Sequence, residues 1–267
     1  MASNRIRIFS GLVSLDAWYT PFIDGRITAD LFADVTFLTA FMGGESESPV
    51  RFELQLKRAE LRVIISESER LRVIKRSVAR VQRVSPNRSK QNDETPSLRT
   101  GPAASEHSGA SSAYNSVSDL GAPSSQRVSR TPDTSEIAVL HFRDSEGNHS
   151  WSLKPNRAAV LDGKPWDAAS DPLMTIRDDR PSDGKSLSPI VRLEVSCRRQ
   201  DLHIKDLQLK SEPLARAIKN KLMFKNQMIA AEALIRNRLA EHGLRAGDLS
   251  EPHSDITLAE LTAADEE

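Results

Sequence analysis

Six histidines and one cysteine are the first residues to weigh for chemistry in this sequence of 267 residues. His141 and His149 stand on either side of Glu146-Gly147-Asn148, a turn signal, so a hairpin would bring their imidazoles together near Asp144. Two imidazoles and a carboxylate are zinc-type ligands. Their spacing matches no ligand motif, and an ordinary polar hairpin end is expected. The run from Asp144 to Asn148 also departs from a calcium loop, which needs Gly at its sixth position and Glu at its twelfth. Cys197 lies on the apolar side of an alternating segment and reads as a small buried hydrophobe. A single cysteine excludes an intrachain disulfide and any multi-cysteine zinc site. Asp178 and Asp179 are adjacent and do not face each other across a cleft. There is no G-x-S-x-G, no P-loop and no G-x-G-x-x-G. No catalytic residue, metal or cofactor is therefore expected, and an enzyme survives only as a site assembled from distant residues.

Binding chemistry has more to work with. Arg70, Arg72, Arg76 and Arg80 share one parity within a run that contains no acid, so in an extended strand they form a cationic stripe suited to an anion or nucleic acid. The run carries no aromatic for base stacking. Its simpler reading is a solvated strand face protected by charge. Lys+Arg and Asp+Glu both number 37. That balance argues against a dedicated nucleic-acid binder, which is usually basic overall.

Strands must position these groups. Ile6 and Ile8 alternate with Arg5 and Arg7; Val50, Phe52, Leu54 and Leu56 alternate with polar residues, as do Leu61 and Val63. That is the period of a half-buried strand. Val191, Leu193, Val195 and Cys197 repeat it, followed by Leu202 and Ile204. Ile137–Phe142 is nearly continuous in apolar residues, as in a strand buried on both faces. Thr28–Met42 reads as a helix, with Leu31, Val35, Leu38 and Met42 on one side and Gly43-Gly44 as its stop.

The two clearest strand pairs resemble each other beyond their periodicity. Ser46-Glu47-Ser48-Pro49 leads into Val50-Arg51-Phe52-Glu53-Leu54, and Ser186-Leu187-Ser188-Pro189 leads, after Ile190, into Val191-Arg192-Leu193-Glu194-Val195. Lys57-Arg58 then matches Arg198-Arg199, and Glu60-Leu61 matches Asp201-Leu202. An internal duplication is inferred, in which each half contributes a strand–turn–strand unit with a basic turn. A lone hairpin buries too little to stand by itself, so the units are expected to pack together as a sandwich or barrel.

Five segments follow. Residues 1–84 form a β-rich segment with one helix. Residues 85–136 form a Ser/Pro-rich linker, about a quarter serine and poor in large apolar residues, hence expected to be disordered. Residues 137–210 are again β-rich. Residues 211–243 form a long amphipathic helix, with Ser211 as N-cap, Pro213 in the first turn and Gly243 as stop. Residues 244–267 form an acidic tail, with seven acids and no Lys or Arg after Arg245.

The fold class is therefore mainly β with added helices, of α+β type. The favoured function is a non-enzymatic interaction or adaptor protein. Partners, or a second copy, would meet it through Leu222, Met228, Ile229, Ile235 and Leu239 of the helix and Ile256, Leu258 and Leu261 of the tail. A nucleic-acid-binding accessory role for the stretch 70–83 is the alternative, and an enzyme the second. No apolar run is long enough to cross a membrane, and the first sixteen residues lack the apolar stretch of a signal peptide, so a cytoplasmic location is expected.

Overall fold

The computed structural model describes residues 7–22, 27–45, 48–79, 137–180, 188–209 and 221–265, with backbone alone at 209 and 221–224. The expectation for the linker 85–136 lies outside them, as do Arg80 and residues 211–220 of the expected helix.

Seven strands precede the linker: β1 (Arg7–Ile8), β2 (Val13–Tyr19), β3 (Thr28–Phe37), β4 (Ala40–Gly43), β5 (Val50–Leu56), β6 (Ala59–Ile65) and β7 (Leu71–Val73). After it come β8 (Ile137–Arg143), β9 (His149–Pro155), β10 (Met174–Asp178), β11 (Val191–Arg198), β12 (Leu202–Leu209), helix α1 (Lys221–Glu241), β13 (Asp255–Thr262) and β14 (Ala264–Asp265). They form three sheets, ordered β1-β13-β11-β6-β9-β8, β14-β2-β3-β10-β7 and β12-β5-β4. The pairings are antiparallel except β14 with β2. The protein is thus mainly β with one helix among the described residues, and no sheet among them closes into a barrel.

The inner side chains of all three sheets share one apolar core. β5 buries Val50, Phe52, Leu54 and Leu56; β11 buries Val191, Leu193, Val195 and Cys197. Each of these strands changes sheet at its following turn. β5 pairs with β12, and β6 pairs with β11, so the two strand–turn–strand segments are cross-braced.

Three expectations are corrected. The stretch Thr28–Met42 is not a helix but strands β3 and β4. Leu31, Val35 and Phe37 share odd parity with Ala29 and Ala33, and all five are buried against the core, while β2 pairs along seven residues of β3. Gly43 ends β4 with a left-handed φ of 73°, and a Cβ there would fall 1.8 Å from the Val50 carbonyl oxygen. The glycine pair therefore turns a hairpin rather than stopping a helix.

The acidic tail is likewise no appendage. β13 lies between β1 and β11, with Ile256, Leu258, Ala259 and Leu261 buried. Its alternation breaks where the β11–β13 register shifts, between Val195 and Ser196. Finally, β8 is not buried on both faces: it ends the order of its sheet, and Leu140 is 61% exposed.

Helix α1 packs on β12 and β5 through Ala231, Ile235 and Leu239. At its end the Gly243 and Leu244 amides donate to the carbonyls of Ala240 and Leu239, and Gly243 adopts a left-handed φ of 67°. This closes the helix at the glycine the sequence marks.

Candidate functional site

The structure scatters the residues chosen from sequence. Arg70 is the left-handed cap of a short 3-10 turn, Arg72 is the central residue of three-residue β7, and Arg76 lies in the turn that follows. No common strand aligns them, so the stripe is corrected. Arg72 is instead bound to Asp179 at 2.8 Å, and Asp179 also accepts from Arg177. These contacts, the Arg177 hydrogen bonds foremost, hold the Asp179 carboxyl below its ordinary value. Asp178 turns away from Asp179 and accepts from Arg180.

Ile235, Leu239, Ile256, Leu258 and Leu261 are core residues and offer nothing to a partner while the fold is intact. A helix that must brace two strands has spent its apolar side, and a strand inserted between two others has spent both edges. Met228 is half-buried, Ile229 is 55% exposed, and the side chain of Leu222 is outside the described set.

His141 and His149 do meet across the β8–β9 hairpin, with Nε2 of one 2.9 Å from Nδ1 of the other. Arg143 lies 3.2 Å from the His149 Nε2. A guanidinium only donates, so that nitrogen accepts; the His149 proton then sits on Nδ1 and points at His141. Burial, helped by Arg143 and His141, lowers the His149 pKa to about 4 and keeps the ring neutral. Asp144 does not join the pair. Its carboxylate accepts from the backbone amides of Glu146 and Asn148 and from the Asn148 side chain, and pairs with Arg62 at 3.1 Å. Among the described residues no three His, Cys, Asp or Glu gather to hold a metal. Burial pushes the Cys197 thiol up, as befits an inert core residue.

Two cavities lie elsewhere among the described residues. The first is where the β5–β6 and β11–β12 turns meet. The Lys57 amide donates to the Asp201 carbonyl at 2.8 Å, locking one basic turn onto the other. Beside this contact is a polar cavity of about 350 Å³ on the outer face of the six-stranded sheet. Ser196, Glu60 and Ser152 are cross-strand neighbours on β11, β6 and β9 and lie along it. Arg58, Lys154 and Arg198 line its turn side, and none of the three makes an ion pair or side-chain hydrogen bond among the described residues. Asp201 is nearly buried; desolvation raises its pKa although Arg58, Arg198 and Lys57 pull it down.

The second is an open cavity of about 260 Å³ between β4 and the end of α1. Phe41, on its edge, is 76% exposed. Glu45 and Arg238, an ion pair at 2.7 Å, lie beside it with His242. Sequence reasoning missed Phe41, because a helical reading of 28–42 gave it no edge to stand on. The basic turns were visible as Lys57-Arg58 and Arg198-Arg199; their meeting was not. No family model, no curated protein and no solved structure matches this chain.

Proposed function

We propose that the protein is a non-enzymatic interaction module: a rigid β platform that docks a protein partner at the corner formed by β4 and the end of α1. The observation that carries this reading is Phe41. A phenylalanine left in water forgoes about 1.5–3 kcal/mol of burial, and aromatic anchors ringed by polar groups are what dominate protein interfaces. Phe41 stands beside a cavity, with the Glu45–Arg238 pair as a charged rim. The partner contact proposed for the helix thus moves to its C-terminal end, at Arg238 and His242.

The platform itself is proposed to derive from a duplicated strand–turn–strand unit. Three features support it: the same buried phase in β5 and β11, the reciprocal pairing of β5 with β12 and β6 with β11, and the two basic turns in contact. Matching Val50 to Val191 carries Leu56 onto Cys197 and Leu61 onto Leu202. The pair Leu56–Leu202 would then recur as Cys197–Leu61, whereas the observed pair is Val195–Leu61. A slip of two residues preserves the facing of every side chain.

The test is a pull-down from the native host with the intact chain and with Phe41→Ser. The wild type should retain a co-purifying protein that the variant loses, with both melting at the same temperature, because an exposed side chain contributes little to the fold. Equal recovery by both would reject the corner as the docking site.

A further inference from the structure

We propose that the cavity where the two basic turns meet binds a phosphate-type oxyanion, either free or as a monoester. This site shares no residue with the Phe41 corner, so each can fail without the other.

Surface arginines and lysines commonly sit in water without partners, and one such residue means little. Here Arg58, Lys154 and Arg198 come from one turn and two different strands and line one concavity. Ser152, Ser196 and Gln200 line it too, and they likewise make no side-chain hydrogen bond among the described residues. Donors that converge on a hollow and make no side-chain hydrogen bond there, although Asp201 is near enough to Arg58 and Arg198 to feel their charge, leave room for an external acceptor. A planar guanidinium offers two parallel N–H bonds to an oxyanion, and charge-assisted bonds of this kind are about twice as strong as neutral ones.

The acids of the lining must be set against this. Glu60 lies within 3.4 Å of Arg62, which also pairs with Asp144. Asp255 is the cross-strand neighbour of Arg198. Asp201 is nearly buried beneath the two turns, and burial pushes its carboxyl up. Four cations and three acids thus line the cavity, a net surplus of one positive charge, and Lys57 adds another beside it. A dianion is attracted to that surplus, and Glu60, in the row between Ser196 and Ser152, is the residue that opposes it most directly.

Glu60, in the cross-strand row Ser196–Glu60–Ser152, therefore supplies a sharp test. Inorganic phosphate and O-phosphoserine are titrated separately into the full-length protein, at ionic strength matched with sodium chloride, while the Arg58 and Arg198 Nε–H signals are followed by NMR. The expected result is saturable shifts absent from the chloride series. Arg58→Gln and Arg198→Gln each weaken binding about tenfold, the loss of one charge-assisted pair, and Glu60→Gln tightens it. All three side chains face water at least in part, so thermal melts of the variants should match the wild type. Equal affinity for the two probes identifies the phosphoryl group alone as the ligand; binding of phosphoserine only identifies a monoester. Shifts that track chloride, or affinities indifferent to Arg58, Arg198 and Glu60, overturn the proposal.

Discussion

A neutral histidine held between two neighbouring strands makes stability depend on pH in a defined window. The folded pKa of His149 is about 4, below the ordinary 6.5. The unfolded chain therefore takes up the proton first as pH falls. The stabilisation is complete above about pH 6.5 and is lost on acidification, the loss reaching roughly 3 kcal/mol near pH 4. Asp201 has the opposite sign: its carboxyl is raised by burial, so protonation favours the folded form and offsets part of the loss. Asp144 behaves conventionally. Burial alone would raise it, but the hydrogen bonds from Asn148, the Arg62 charge and the Glu146 amide take it below 3.8, so its contribution disappears only at more acid pH. Urea unfolding at pH 7 and pH 4.5 should show the His149 loss, and His149→Gln should flatten it. An equally steep pH dependence in the variant would reject the assignment.

The elements themselves rest on a few positions that no substitute fills. Gly43→Ala meets both a left-handed φ and the Val50 carbonyl oxygen, whereas Gly147→Ala meets the φ alone, with nothing within 4 Å. The left-handed backbone costs roughly 1–2 kcal/mol for a residue with a Cβ. Gly147→Ala should therefore cost about that much in chemical denaturation and Gly43→Ala clearly more; equal costs would show that the β4–β5 turn simply relaxes. A second contrast concerns the C-terminal elements. Leu258→Asp places a charge inside the core beside β11 and should abolish cooperative melting. Ile229→Glu, on the outward side of α1, should change stability by less than about 0.5 kcal/mol. A mild effect at Leu258 would restore the reading of 244–267 as a tail.

Across the folded unit, stability is expected to decrease from the centre of the six-stranded sheet to the sheet edges. β11 and β6 are each paired on both sides and carry fully buried Leu193, Val195 and Leu61. β7 and β14 are short and end the order of their sheet. Native-state hydrogen exchange should leave the amides of β11, β6 and β13 protected longest, with β7 and β14 exchanging first. Early exchange in β13, far from the rate of β11, would contradict its place as an internal strand. The same cross-bracing explains why the two basic turns meet: β5–β12 and β6–β11 pair in antiparallel fashion, so both turns are drawn to one end.

The amino-acid order by itself determined the strands whose apolar and polar residues alternate without interruption. Val50–Leu56, Leu61–Val63 and Val191–Cys197 were legible because a half-buried strand imposes period two on its residues. So were the β8–β9 hairpin, through Gly147, and the end of α1, through Gly243, because those backbone conformations need glycine. What the tertiary structure alone decided are the places where local signals are degenerate. Leu31 and Val35 fit a helix spacing as well as strand parity, and only pairing with β2 and β10 selects the strand. Ile256, Leu258 and Leu261 lose strict alternation because the register shifts at Val195/Ser196, so an internal strand looked like an acidic tail. The candidate site followed the same division. Its basic turns could be read along the chain, but their convergence on one cavity depends on pairing between segments more than a hundred residues apart, and no local pattern encodes that.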